Sequence, residues 1–402
     1  MRLRIAVLST LAMLLVVAPL AAQEITIWHA YRGGEKDAFE KVVAQFNASQ
    51  TKIKATTLAV PYDAFADKIT AAVPRGKGPD VFIYAQDRLG GWIEAGNTIE
   101  PIDFYLDKKL TDRFIPSTMQ AMTYRKAVWG LPLNYKCLTM IYNKKLVTTP
   151  PKTTTELVAT AKKLTNASSG TFGLAYWYSN WYYHSILFNA YGGGVFAADG
   201  KPNVNNAANV KSVDLLMKWF DKDKILPAEP STALITSLFN EGKAAIVFNG
   251  PWFLGEISPK IQYGIAMLPT VTEAGGKPLA PWMTVEGVYI AAPSKNKDAA
   301  FAFAQYLTDV PSAKVMALSG RQTPANKNVY ADAQVAADPV MKAFRAQVDT
   351  AVPMPNSPEM TMVWSPVTTA MNAITKKALA PKPALDKAQA EVTEAVSRLR
   401  KK

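Results

Sequence analysis

ITIW at Ile25–Trp28, EKDAFEKVVAQF at Glu35–Phe46, KIKATTLAV at Lys52–Val60 and PDVFIY at Pro79–Tyr84 alternate between two hydrophobic patterns. Ile25–Trp28 is β-branched and aromatic, as strands prefer. Ala38, Phe39, Val42, Val43 and Phe46 fall on one face of a helix with about 3.6 residues per turn. Lys52–Val60 reads as a second strand, and Phe65, Ile69, Ala72 and Val73 mark a second amphipathic helix. Val81–Tyr84 is an unbroken apolar run, the mark of a strand covered on both faces. Parallel neighbours need a crossover, which a helix supplies. Strand–helix–strand–helix–strand therefore predicts an α/β domain on a mainly parallel sheet.

The pattern returns further along the chain. Thr153 and Glu156, behind Pro150-Pro151-Lys152, have capping-box spacing and open a helix. Val213, Leu216, Met217 and Phe220 stripe another. Ala244–Phe248 reads as a strand stopped by the turn signal Asn249-Gly250-Pro251. Asp298–Leu307 reads as a helix, and Leu385, Val392, Val396 and Leu399 give the last helix its apolar stripe. No internal repeat or low-complexity linker interrupts these segments. Two α/β lobes joined by short crossovers, with a ligand between them, is the expected architecture.

Composition narrows the function. The 402 residues are 49% hydrophobic and 19% charged, enough for two domains with real cores. The single cysteine, Cys137, rules out a disulfide scaffold, and with two histidines it leaves almost no ligands for a metal site. Cys137 is expected to be a buried packing residue. Net charge is +13, yet the basic residues are dispersed. The densest run, Arg398, Arg400, Lys401 and Lys402, is short of a nucleic-acid arm, so no nucleic-acid partner is expected.

Arg2 and Arg4 precede an apolar run from Ile5 to Leu20, followed by Ala21 and Ala22. This is the layout of a secretory signal peptide over residues 1–22, cleaved near Ala22. The run is shorter than the roughly 20 residues of a bilayer span. No cysteine follows it, so no lipid anchor is expected, and the mature chain is placed in the periplasm.

No G-x-S-x-G, phosphate-binding loop or metal spacing is present. His29 and His184 are isolated. Tyr176-Trp177-Tyr178-Ser179-Asn180-Trp181-Tyr182-Tyr183-His184 holds six aromatic residues in nine positions. Phenol and indole rings offer flat apolar faces with hydrogen-bonding edges, which suits sugar rings. Trp252 and Trp364 are further candidates. Rings in such a run also serve as ordinary core.

Several ordered segments carry a resemblance. They are Gly78-Pro79-Asp80 with Asp87-Arg88-Leu89-Gly90-Gly91, Ile141-Tyr142-Asn143-Lys144 with Pro150-Pro151-Lys152-Thr153, Phe239-Asn240-Glu241-Gly242 through Asn249-Gly250-Pro251-Trp252, Tyr263-Gly264, Leu268-Pro269, and Met354-Pro355-Asn356 before Trp364. From about Glu24 onward the chain resembles the maltose/maltodextrin-binding proteins of bacterial ABC importers, within the extracellular solute-binding proteins. The resemblance implies an α/β, two-lobed periplasmic-binding-protein fold of class II, each lobe a mainly parallel sheet flanked by helices. It implies residues 24–134 and 286–330 in the first lobe and residues 135–285 and 331–402 in the second. It also implies hinge closure on a carbohydrate, a membrane permease as partner, a monomer, and no cofactor, metal or catalysis. Trp252, Trp364 and Tyr182 fall on stacking positions, with Tyr84 where the family has another aromatic. Asp87 and Arg88 fall on hydroxyl-binding positions, and Trp181 adjoins the stacking set.

The departures leave the ligand open. Lys136 and Asn180 stand where the maltose binders have glutamates. Arg32 and Gly33 replace an acid and a lysine, Thr368 an arginine and Ser365 an aromatic. A different neutral sugar would receive hydrogen bonds from Lys136 and Asn180. An acidic sugar would instead meet Arg32 or Lys136. Tyr182-Tyr183 is also similar to the tyrosine pair of periplasmic iron binders, although the surrounding segments match sugar binders. A secreted carbohydrate-active enzyme using some pair among the 32 acids is the reading from another class.

Overall fold

The computed structural model describes residues 22–401. The signal-peptide expectation falls almost wholly on residues 1–21, outside the described residues. The opening alternation forms β1 (Gln23–His29), α1 (Gly33–Ser49), β2 (Ile53–Ala59), α2 (Tyr62–Ala72) and β3 (Val81–Ala85). Then come β4 (Leu131–Lys136), β5 (Thr139–Asn143), β6 (Phe172–Ala175), α3 (Trp181–Ala190), β7 (Ala244–Asn249) and β8 (Tyr263–Ala266). The later elements are β9 (Trp282–Ile290), α4 (Lys297–Leu307), β10 (Val352–Pro353), α5 (Met360–Thr375) and α6 (Pro381–Arg400).

Two sheets organise the chain into two lobes. The first runs β10–β9–β3–β1–β2, with β4 also paired to β9; the second runs β8–β5–β7–β6. In the first sheet, β1 is parallel to β2 and β3, while β9 runs antiparallel to β3 and β4. In the second, β5 is antiparallel to both β8 and β7, and only β6–β7 is parallel. The sheets are thus mixed, where the opening alternation predicts mainly parallel ones. Antiparallel strands enter because the chain leaves each lobe and returns from the other.

Each sheet carries a core on both faces. In the first lobe, Ile25, Ile27, Phe39, Val42 and Phe303 pack on one face. Phe65, Ile69, Phe82, Trp92 and Tyr289 pack on the other. In the second, Leu138, Leu174, Trp181 and Phe188 join Val363, Val367 and Leu385 from α5 and α6. The chain passes between sheets in the two residues separating β4 from β5, and again at the start of β9. The two crossovers lie side by side, because Lys136 and Thr284 are cross-strand partners.

Candidate ligand-binding site

β3 ends at the tip of the first lobe in the single turn Gln86–Arg88. Burial dominates there: Asp87 is 6% exposed, and its carboxyl is pushed up to about 6, although Arg88 beside it opposes the shift. Arg88 Nε lies 3.4 Å from Asp87 Oδ2. The Gly90 amide donates to Asn356 O at 2.9 Å. A Cβ on Gly90 would sit 2.6 Å from that oxygen, so this approach needs glycine. The Asp87–Gly91 and Met354–Asn356 segments, distant in sequence, therefore meet. Gln86 ties them to β9, donating to Met354 O at 3.3 Å and accepting from Val285 N at 2.7 Å.

The facing wall belongs to the second lobe. Asn180 caps α3, its side-chain oxygen accepting from Tyr182 N at 2.9 Å. This puts Tyr182 in the first turn, with its ring 6.1 Å from Trp252 and 6.4 Å from Trp282. Trp282 meets Trp364 edge-on at 5.9 Å. Trp252 folds back over Gly250, where a Cβ would come within 2.2 Å of the indole; the glycine makes room for the ring. Trp364, on α5, lies beside Asp87. Tyr182 Oη, Trp364 Nε1 and Arg88 Nε are buried without a well-formed hydrogen bond, although Thr284 lies near the first and Asp87 near the other two. Buried polar atoms are nearly always partnered, so these three atoms have hydrogen-bonding capacity to spare.

The family described as bacterial extracellular solute-binding protein matches residues 32–314. This chain belongs to that family. The maltotriose-binding protein of Pyrococcus abyssi (strain GE5 / Orsay) is 32% identical over 365 residues, which are 89% of this chain and 79% of that protein. The galactooligosaccharide-binding protein of Bacillus subtilis (strain 168) is 29% identical over 381 residues, 91% of this chain and 87% of that one. The Thermus thermophilus maltotriose binding protein bound with maltotriose superposes with a TM-score of 0.84 at 29% identity. That match covers 92% of this chain and 100% of the other. The two-lobed architecture is the class II periplasmic-binding-protein fold.

Four residues singled out in this solute-binding protein sit differently from expectation. Trp181 is fully buried in the second-lobe core, stacked on Phe188 at 4.9 Å. It is the neighbour of Tyr182, but one helical step turns it away from the cleft. Tyr84 is 6% exposed and stacks on Tyr62 and Phe65 at 5.2 and 5.1 Å, so its ring is spent inside the first lobe. Tyr62, 53% exposed, is the ring of that stack that reaches solvent. Lys136 is no free cation, for its Nζ lies 3.0 Å from Glu286 and 3.3 Å from Glu35. Burial works against its charge, yet Glu286 and Glu35 hold its pKa above the usual lysine value. Arg32 is spoken for by Glu256 at 2.6 Å, across the cleft.

Much of the aromatic run is core: Tyr176, Tyr178 and His184 are fully buried, and burial lowers the His184 pKa to about 3. His29 is also buried, with its pKa lowered to about 4, and Tyr31 N donates to its Nδ1. Cys137 is 1% exposed, and burial pushes its thiol up to about 12. Among the described residues no three His, Cys, Asp or Glu side chains are grouped to hold a metal ion. Trp282, Glu35 and Glu286 escape the sequence reading. Trp282 had one signal, an indole after Pro281 beside the expected lobe boundary.

Proposed function

We propose that this protein is the capture component of a bacterial sugar importer, and that its ligand is a neutral oligosaccharide of the malto- type. The observation that carries this reading is the ring wall of Tyr182, Trp252, Trp282 and Trp364, with Trp364 beside the buried Asp87. Rings stack on the apolar faces of sugars, and charged groups fix hydroxyl orientation. The relatives' names, maltotriose- and galactooligosaccharide-binding, support the same class.

In this reading Trp252, Trp364 and Tyr182 stack, Asp87 and Arg88 bind hydroxyls, and Asn180 donates through its free amide. The lobes swing at the β4–β5 link and the start of β9, because a bridging ligand contacts more surface when they close. A monomer releases the sugar to a membrane permease and catalyses no reaction, in keeping with a family of binding proteins.

Intrinsic tryptophan fluorescence tests this on protein unfolded and refolded to strip carried-over ligand. Maltotriose, maltose, trehalose and a uronic-acid oligomer are titrated in turn. A saturable change with a neutral glucan is expected. Silence across the panel with an unchanged melting temperature would end the sugar reading.

A further inference from the structure

We propose that Glu35, Lys136 and Glu286 form an electrostatic filter that restricts the cleft to uncharged, hydroxyl-rich ligands. This rests on the sugar-binding reading and names the residues that decide which sugars are refused. The three side chains are 10 to 13% exposed and share one ammonium between two carboxylates. Burial pushes the Glu35 carboxyl up and Lys136 opposes that shift, so with both carboxylates ionised one negative charge is left over. Neutral donors stabilise it: Tyr31 Oη donates to Glu286 Oε2 at 2.9 Å, the Asn134 amide reaches the same oxygen at 3.4 Å, and the Gln322 amide donates to Glu35. Glu35 also lies in the first turn of α1, where the helix dipole favours an anion.

The triad borders the aromatic wall. Lys136 is the cross-strand partner of Thr284, and Thr284 lies beside the Tyr182 hydroxyl. The other charges named on the cleft cancel in pairs, Asp87 with Arg88 and Arg32 with Glu256. With Glu35 ionised, the surplus negative charge is therefore the net charge that these groups present to a ligand.

Hydrogen-bond polarity points the same way. Only a donor can face a carboxylate, so the amide nitrogens of Gln322 and Asn134 are assigned toward Glu35 and Glu286. Their side-chain oxygens are left buried without donors. Glu35 Oε2 accepts no hydrogen bond from the described residues. These are acceptors in want of O–H groups. A sugar hydroxyl supplies one; a sugar carboxylate brings a second negative charge and no donor. Lys136 cannot reverse this, because both of its neighbours already hold it.

Calorimetric titration with maltotriose, and with the same trisaccharide oxidised to the uronate at each 6-position, tests the filter. Wild type is expected to bind the neutral sugar at least about tenfold more tightly, as like-charge juxtaposition demands. Glu286→Gln, which leaves a balanced Lys136–Glu35 pair, is expected to narrow that ratio about threefold or more, and E35Q/E286Q further. Should the double variant not fold, Glu286→Gln decides alone. Equal binding of both sugars by wild type, or an unchanged ratio in folded Glu286→Gln that still binds maltotriose, overturns the filter while leaving the sugar reading standing. Failure of wild type to bind either sugar overturns both.

Discussion

Asp87 is the residue at which burial and pairing compete most openly. A free aspartate titrates near 3.8, whereas burial lifts Asp87 to about 6 despite Arg88. The native state thus holds this proton more tightly than the unfolded chain. The group favours the native state below about pH 4 and opposes it increasingly as pH rises through 6. At about 1.4 kcal/mol per pKa unit the swing is roughly 2–3 kcal/mol. Asp87→Asn should abolish it. In urea unfolding, the stability of the variant relative to wild type should rise by roughly 2–3 kcal/mol between pH 4 and 7. Superimposable pH profiles would mean that the native carboxyl is solvated. Only the difference is informative, because paired carboxylates elsewhere lose stability in acid in both proteins. The same contest explains which site residues were legible. Asp87, Arg88, Tyr182, Trp252 and Trp364 are named by local motifs, and the fold brings Tyr182 near Trp252 and Trp364 beside Asp87. The surroundings of Trp181 and Lys136 were not legible because they are not local: Trp181 differs from Tyr182 by one helical step, and the Lys136 partner Glu35 is 101 positions away.

The first turn of α1 reaches across to the second lobe. Arg32, just before it, meets Glu256 at 2.6 Å, with side chains 60% and 29% exposed. Exposed pairs contribute about 0.2–1 kcal/mol and are screened by salt. Under the proposed hinge closure this pair exists only while the lobes are together, so its energy adds to ligand affinity. Glu256→Gln should weaken sugar binding by about twofold to fivefold at low ionic strength. The deficit should vanish near 1 M salt, where the screening length falls to roughly 3 Å. A salt-independent deficit, read by titration at both ionic strengths, would assign Glu256 a contact with the ligand itself. The elements themselves were readily legible. Hydrophobic period marked β1, α1, β2, α2 and β3 to within a few residues, because each is stabilised by the face it buries. Strand direction in the second sheet was not, since β5 finds β7 and β8 through pairings far along the chain.

At the scale of the whole molecule, β9 is shared property. It pairs with β3, β4 and β10, so the first sheet depends on a strand that follows every strand of the second. A chain ending at residue 280 therefore lacks the neighbour that β4 needs. It should show no cooperative urea transition; a cooperative one would mean that the first lobe assembles without its shared strand. The two-lobe plan was legible from repeated alternation and ordered motifs. The sharing of β9 was not, because nothing within Trp282–Ile290 says which strands it will separate.

That sharing has a consequence for biogenesis. As the polypeptide leaves the ribosome from its N-terminus, β1 to β3 emerge early but cannot be joined to β4 until Trp282–Ile290 has followed. Long-range pairing of this kind is slow to form. Members of an extracellular family must be moved across a membrane, and a chain that cannot close its first sheet until late in synthesis is still slack enough to be threaded.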